Sequence, residues 1–498
     1  MAEARQEDLQ KRCERRKKRE SLLETLESIH VAFVLAFVFR AFIIEAFVIP
    51  TGSMAPTLYG AHTEFVCQDC GYRFAAGAEG RGPAPLCPNC FLMQPIRPRG
   101  VSLYSGDRVL VLKFLYDFEV PRRWDIIVFR NPKEPAQNYI KRLVALPGET
   151  VELVRGDVTI DGRIVPKSDR AQDALWMIVH DTRYRPPWST WTPRWKADLG
   201  WRADGAGWRL ESPGREETYL TYEHRDPKER PSNILDFYAY NTSSGNGDNL
   251  RLGSNVCTDL GLRTEATLGS PQAVFVAELA AYRDHFRFEL SARDSGRPTR
   301  VLMNGRPMAE APDGVLTVGR AAEVLVADVD HKLMLLVDGK RVLTALGGPA
   351  SPEGDPLYEP TPLSDDERLR MDGLAGGAGG VRVGASGGPV RLEYLRLDRD
   401  VYYTNSDIER TNLPGHGTEG HPMALGADEF FVLGDNSPNS ADCRAWPLPN
   451  AEFPQARAVV PRRNLVGKAF FVYWPAAGRR TDLRIPLLPD PTGWRFVH

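Results

Sequence analysis

The chain reads as a mainly β protein of several domains, and three observations carry that reading. It has 498 residues, more than one compact core accommodates, so two to four domains are expected. Short runs of β-branched and aromatic residues recur along it, punctuated by Asn-Gly and Asp-Gly turns. Helix signals are scarce from about residue 169 to 400. The net charge of −2 argues against a nucleic-acid protein, which would show a strongly basic domain. The composition excludes collagen-like and broadly disordered chains.

In chain order, residues 1–21 read as a basic cytosolic tail, with Lys11-Arg12 and the run Arg15 to Arg19. Residues 22–48 read as a transmembrane helix, because the apolar run from Ile29 to Ile49 reaches the roughly 20 residues that span a bilayer. Arg40 and Glu45 interrupt that run, at about 2.5–3.5 kcal/mol each if central, and are expected near the far interface. The basic cluster keeps the N-terminus cytoplasmic. The expectation is a single-pass protein of the cytoplasmic (inner) membrane with all later domains extracytoplasmic. The alternative is a buried helix of a soluble protein.

Residues 49–63 form a Gly/Pro-framed turn around Ser53, and residues 64–100 a cysteine-bearing insert. Residues 101–168 carry strand-like segments at Asp107–Lys113, Asp125–Phe129 and Tyr139–Leu146, then a hairpin over Val158–Val165 about Asp161-Gly162. Residues 169–400 change texture: six of the ten tryptophans fall between Trp176 and Trp208, and short strands follow at regular spacing. Phe286, Phe288 and Leu290 alternate with polar residues, Asn304-Gly305 and Asp338-Gly339 read as hairpin turns, and Gly373–Gly388 reads as a glycine-rich loop. That pattern suggests an inserted β-sandwich. Residues 401–498 return to strands, with Phe430–Leu433 leading into Gly434-Asp435-Asn436.

Four of the seven cysteines cluster as Cys67-x2-Cys70 and Cys87-x2-Cys90. This spacing matches a zinc ribbon, in which four thiolates hold one structural metal and leave no open position. Two disulfides are the competing reading, since the segment is expected outside the cytosol.

Ser53 alone is a weak signal, because a Gly-Ser pair in a loop is most often a turn. A serine nucleophile needs a base, and the histidines, among them His62, His180, His224 and His331, form no triad pattern. Lys141 is the candidate: strand alternation sets it on one face with Leu143 and Ala145. An ammonium there loses hydration and its pKa falls, so the neutral amine can serve as general base. In the loop Leu433–Arg444, Ser440 can hydrogen-bond that amine, and Asp442 can orient Ser440 and pair with Arg444.

Three blocks in one order resemble the bacterial type I signal peptidases, the leader peptidase family of membrane-bound Ser-Lys proteases. They are Ile49-Pro-Thr-Gly-Ser-Met-Ala-Pro-Thr-Leu58; Gly106 to Val111 continuing through Trp124–Phe129 to Tyr139–Glu149; and Gly434-Asp-Asn436 to Ser440-Ala-Asp-Cys-Arg444, then Gly467-Lys-Ala469. The resemblance implies a serine endopeptidase with Ser53 as nucleophile, Lys141 as general base, Thr51 with the Ser53 N–H as oxyanion hole, and Ser440 and Asp442 orienting the lysine. It implies cleavage of exported preproteins after small residues (an Ala-X-Ala site). By position Phe47, Ile49, Met54, Leu58, Tyr139 and Ile140 would line the substrate pockets. No cofactor is implied for catalysis. Ser437-Pro438 and Cys443 depart from the family's usual Arg-Asp and Ser.

The 169–400 insert loosely resembles a concanavalin-type or laminin-G-like jelly roll, on strand pattern alone. Its tryptophans either pack the insert against the catalytic domain or offer a sugar-stacking platform. Asp328 and Asp330 are acidic candidates that no spacing selects. Two readings compete with the peptidase: a membrane-anchored glycan- or protein-binding module on an inactive peptidase scaffold, and a self-cleaving Ser-Lys repressor. The intact Ser53, Lys141, Ser440 and Asp442 oppose the first, and the absence of a DNA-binding domain opposes the second.

Overall fold

The apolar run that opens the chain does not stay helical to residue 48. Residues 24–35 are helical, but Ile44–Val48 is a β-strand, paired antiparallel with Arg108–Leu112. This corrects the expected helix end. Ile44 and Val48 are β-branched and suit extended backbone, and Glu45 pairs with Lys113 across the two strands at 3.2 Å. Among the described residues no helix is long and apolar enough to cross a membrane. The computed structural model describes residues 24–35, 37–38, 42–78, 85–94, 103–132, 134, 136–187, 192–211, 216–244, 253–343, 351, 354, 356–404, 415–447, 458–474 and 494–497. The expected tail 1–21, Arg40, Trp188 and Trp191 lie outside the described residues.

The sheet that carries the site has eight described strands. Its order is Ile44–Val48, Arg108–Leu112, Leu465–Trp474, Ile126–Arg130, Asn138–Ala145, Glu429–Leu433 and Val460–Pro461, with Arg495–Phe496 beside Leu465–Trp474. Strand alternation divides its apolar residues between two cores. Ile126 and Val128 join Ile49, Met54, Leu58, Val109 and Val111, while Ile127 and Phe129 join Leu143, Phe430 and Phe431. From Lys141 to Ala145 every residue of strand Asn138–Ala145 is buried. A smaller antiparallel sheet of Arg163–Ile164, Asp157–Ile160, Thr150–Val154 and Met423–Ala424 flanks it.

Between Met177 and Arg399 the chain builds two further antiparallel sheets, of nine and seven described strands. Their facing side chains, Phe275, Phe286, Phe288, Leu290, Leu335 and Val383 among them, form one core. The first strand of this unit, Met177–Asp181, pairs with its last, Arg396–Arg399. The entry and exit are therefore adjacent, which lets so long an insertion leave its host intact. The three hairpin turns form as read: Asp161-Gly162, Asn304-Gly305 and Asp338-Gly339 have positive φ at both central residues, from 48° to 77°.

Two expectations need correction here. The Gly373–Gly388 stretch is not a loop throughout, because Gly379–Ser386 is an inner strand pairing with Thr218–Tyr222 and Val274–Ala281. Val381, Val383 and Ala385 alternate into the core, and Gly384 leaves room for the Tyr219 ring, whose Cε1 would lie 2.7 Å from a Cβ there. The described tryptophans of this stretch pack within the sandwich unit and form no exposed platform. Trp195 and Trp201 are buried in the sandwich core, Trp208 packs on it, and Trp176 packs with Leu325, Ala327, Val329 and Met334.

One buried ionic cluster ties the host sheet to the sandwich. The Lys167 ammonium donates to Asp330 and Asp400, both at 2.7 Å, with all three buried. Asp328 accepts from the Tyr358 hydroxyl at 3.2 Å.

Residues 62–66, 73–77 and 103–104 form a three-stranded sheet beside the cysteine quartet. Two equivalent knuckles shape it. Gly71 N–H donates to Cys67 O and Phe91 N–H to Cys87 O, with φ of 78° at Gly71 and 60° at Phe91. Cys67 Sγ lies 3.5 Å from Cys90 Sγ, Cys70 Sγ lies 3.6 Å from Cys87 Sγ, and all four sulfurs lie within 4.8 Å of one another. None is in a disulfide. A tetrahedral metal with bonds of about 2.3 Å sets its sulfurs roughly 3.8 Å apart, so the quartet fits one metal ion.

Candidate active site

Three stretches remote in sequence meet at one point: the turn Gly52–Met54, the strand Asn138–Ala145 and the loop Gly434–Arg444. Ser53 follows an extended Thr51 and lies in a single 3-10 turn, buried but for 9% of its surface. The sheet register brings Lys141 opposite Ile127, and its Nζ reaches Ser53 Oγ at 2.6 Å. Among the described residues this hydroxyl is the amine's sole hydrogen-bond partner. The Tyr139 ring lies 5.8 Å away. Burial lowers the Lys141 pKa to about 8, against a countering pull from Asp442 and Asp435.

Its chain neighbour meets the opposite fate. Arg142 is also fully buried, but its Nε and Nη2 donate to the two oxygens of Asp435 at 2.7 and 2.8 Å, and Nη1 donates to Trp124 O. Burial works against that charge, and Asp435 outweighs it, so the Arg142 pKa is raised. A bidentate partner keeps one cation charged, and a hydroxyl partner leaves the other free to be neutral.

The loop is organised by Asp442. Arg444 donates to its two oxygens at 2.9 and 2.7 Å, Gly434 N–H donates at 3.0 Å, and the Ser440 hydroxyl donates at 2.8 Å. Burial alone would raise the Asp442 pKa, but Arg444 and these donors together hold it below the ordinary value. Ser440 Oγ gives its proton to Asp442, and among the described residues the expected bond between Ser440 and the lysine amine is not made. Gly434 is needed for close approach: a Cβ there would lie 2.1 Å from Ser440 Oγ and 2.5 Å from Ser53 O. The unusual Ser437 has a structural use, since its Oγ accepts from Arg444 Nη1 at 2.7 Å and from Thr404 N–H at 2.8 Å. Cys443 Sγ accepts from Val432 N–H.

The remaining expected residues divide. Thr51 is exposed, and its side chain makes no capping bond. Ile49, Met54 and Leu58 are buried in one core, with Phe47 and Ile140 half-buried at its edge. Tyr139 belongs to the other core, edge-on to Phe129 and tilted against Trp446. The six are therefore not one exposed wall.

Sequence reasoning missed Asn436, Asn241 and Tyr240. Asn436 donates from its backbone N–H to Ser53 O and from Nδ2 to Gly52 O, both at 3.0 Å. Asn241 and Tyr240 come from the sandwich insert and touch Asn436 and the Gly52 turn. The 434–436 block was visible, but no local signal links it to position 241.

Replacing the lysine should separate stability from chemistry. The unfolded chain keeps an amine pKa of 10.5, and the folded chain holds it at about 8. Between those values the unfolded state binds more protons, so stability rises with pH there; below pH 8 the folded state carries the full cost. That cost is about 3 kcal/mol, from 1.36 kcal/mol per unit. Lys141→Met is therefore expected to raise the thermal midpoint at pH 7 and to flatten its rise between pH 8 and 10, as read by calorimetry across pH.

Comparison with known proteins covers two of the three stretches that meet here. The profile of the family described as signal peptidase, peptidase S26, matches residues 90–188 and 380–474. The match begins after the Ser53 turn, so the place of Ser53 rests on the geometry above. A protein named Signal peptidase I from Rickettsia bellii (strain OSU 85-389) is 28% identical over 158 residues, covering 32% of this chain and 45% of that protein. Signal peptidase I of Leptolyngbya laminosa is 31% identical over 149 residues, 28% of this chain and 51% of that protein. The Pseudomonas aeruginosa PAO1 protein of the same name is 30% identical over 146 residues, 27% of this chain and 36% of that one. The chain thus spans about half or less of the length of the curated relatives it matches. Among solved structures, the carbohydrate-binding module CBM66 of Bacillus subtilis is 9% identical with a TM-score of 0.23, covering 42% of this chain and 93% of that one. The Emp47p carbohydrate recognition domain is 10% identical with a TM-score of 0.25, covering 42% of this chain and 90% of that one. With the profile on both sides of the sandwich and these relatives behind it, the chain is a relative of the bacterial type I signal peptidases.

Proposed function

We propose that this protein is a membrane-bound serine endopeptidase that removes signal peptides from exported preproteins at Ala-X-Ala sites. The observation that carries the reading is the 2.6 Å contact between Ser53 Oγ and a buried Lys141 amine whose pKa is lowered to about 8. Neutral Lys141 takes the hydroxyl proton as Oγ attacks the scissile carbonyl, then returns it to the leaving amine. Water, activated by the same amine, hydrolyses the acyl-enzyme. The Ser53 N–H and the Thr51 hydroxyl are the proposed oxyanion donors. Ser440 and Asp442 act as positioning residues behind the dyad. Of the proposed pocket residues, Phe47, Tyr139 and Ile140 keep exposed surface, while Ile49, Met54 and Leu58 back them from the core.

Membrane attachment is part of the proposal. Leu26, Ile29, Phe33, Leu35 and Phe37 near the start of the chain are exposed, a pattern that suits lipid better than water. With the basic residues 11–19 held cytoplasmic, the domains from residue 49 onward are proposed to be extracytoplasmic. The divisions 49–63, 101–168 and 401–498 are proposed as the catalytic domain, and 64–100 and 169–400 as its two inserts. In the first insert the quartet is proposed to hold structural zinc: thiolates are its favoured ligands, and four of them close the shell.

Three outcomes test this reading. Wild-type protein in detergent is expected to cleave a preprotein with an Ala-X-Ala site, faster as pH rises through about 8, whereas Ser53→Ala leaves it intact. Cleavage by Ser53→Ala would remove the dyad. Thr51→Ala is expected to lower kcat by about 10²–10³-fold, with an unchanged thermal midpoint because Thr51 is exposed. Metal analysis is expected to find one zinc per chain; four oxidised cysteines without metal would refute the ribbon.

A further inference from the structure

The sandwich insert does more than decorate the catalytic sheet. Its segment Ala239–Ser244 forms a 3-10 turn that lies against the nucleophile turn. There Asn241 and Asn436 exchange side-chain amides. Asn241 Nδ2 donates to Asn436 Oδ1 at 2.7 Å, and Asn436 Nδ2 donates to Asn241 Oδ1 at 2.8 Å. Both residues are buried. The same Asn436 Nδ2 donates to Gly52 O, and the Asn436 N–H donates to Ser53 O. Its two donors therefore grip successive carbonyls that flank the Ser53 side chain. An amide free to flip would trade a donor for an acceptor at Gly52 O, and Asn241 is what fixes its orientation.

Tyr240 closes the same contact from the other side. A Cβ on Gly52 would lie 2.2 Å from Tyr240 Cε1, so ring and turn are in direct contact. The ring stacks between Tyr59, at 5.8 Å and 25°, and Tyr238, at 5.9 Å and 18°. It also reaches Gly77 of the cysteine-bearing insert. Residues of both insertions thus meet at the back of the nucleophile turn.

We propose that Asn241 is a positioning residue for Ser53, acting from the sandwich insert through Asn436 to set the Gly52–Ser53 backbone. This rests on the peptidase reading above. Its consequence is that the insert helps to set the geometry of the catalytic centre.

The test uses the full chain with an Ala-X-Ala preprotein, comparing wild type, Ser53→Ala, Asn241→Ala, Asn436→Ala, the double variant and Asn233→Ala. Asn233 donates to Asp372 O at 2.8 Å inside the insert and serves as a control for general loosening. Asn241→Ala is expected to lower kcat about tenfold with KM little changed, and to cause no further loss in the Asn436→Ala background. Hydrogen exchange in the peptide covering 50–58 should quicken in Asn241→Ala and not in Asn233→Ala. Unchanged kcat and exchange, equal losses in both backgrounds, or the same losses in Asn233→Ala would overturn the inference. If wild type cleaves no more than Ser53→Ala, the peptidase reading fails first. Exchange then decides what remains: quickened exchange keeps a clamp and removes its catalytic purpose, and unchanged exchange removes both.

Discussion

The structure turns on a lysine amine denied both water and a counter-ion. Lys141 lies on a strand buried on both faces, and a serine hydroxyl is its described partner. Two carboxylates are close enough to restore its proton, Asp442 and Asp435. Each is already engaged by a buried arginine, Arg444 and Arg142. Those ion pairs therefore do more than hold loops. They tie up negative charge that would otherwise hold the proton on the amine, while Asp442 still orders Ser440 and Gly434, and Arg142 holds Trp124 O.

The host sheet tolerates two large insertions because each leaves and re-enters within a short distance. Met177–Asp181 against Arg396–Arg399 closes the sandwich onto itself, and the Lys167–Asp330–Asp400 cluster ties it to the catalytic part. The cysteine knuckles dock on the sandwich as well: Asn89 Oδ1 accepts from Asp181 N–H, and Asn89 Nδ2 donates to Tyr184 O. The insertions and the Ser53 turn thus share one packed surface, centred on Tyr240.

What could be read from the chain follows the range of the interaction. Period-two strands and the three Asp-Gly and Asn-Gly turns are local, and they form where the pattern put them. Ser53, Lys141, Asp442 and Arg444 were legible because their chemistry is coded in short blocks. The bond from Ser440 to Asp442 forms as its block suggested, whereas the expected bond from Ser440 to the Lys141 amine is not made among the described residues. Strand alternation set Lys141 on one face but gave no hint that Arg142 on the other would be equally buried. Glycines at 379–388 disguised a strand whose neighbours need the space a side chain would fill. Tyr240 and Asn241 contact residues nearly two hundred positions away in sequence, as the 195-residue separation of Asn241 and Asn436 illustrates, and no local pattern encodes that.

The most direct test is the titration of the Lys141 amine itself, followed by NMR of protein carrying isotope-labelled lysine and assigned with Lys141→Met. The account predicts a midpoint near 8 that moves when Ser53 is replaced by Ala. A midpoint at the ordinary 10.5, indifferent to Ser53, would mean a solvated ammonium and would contradict it.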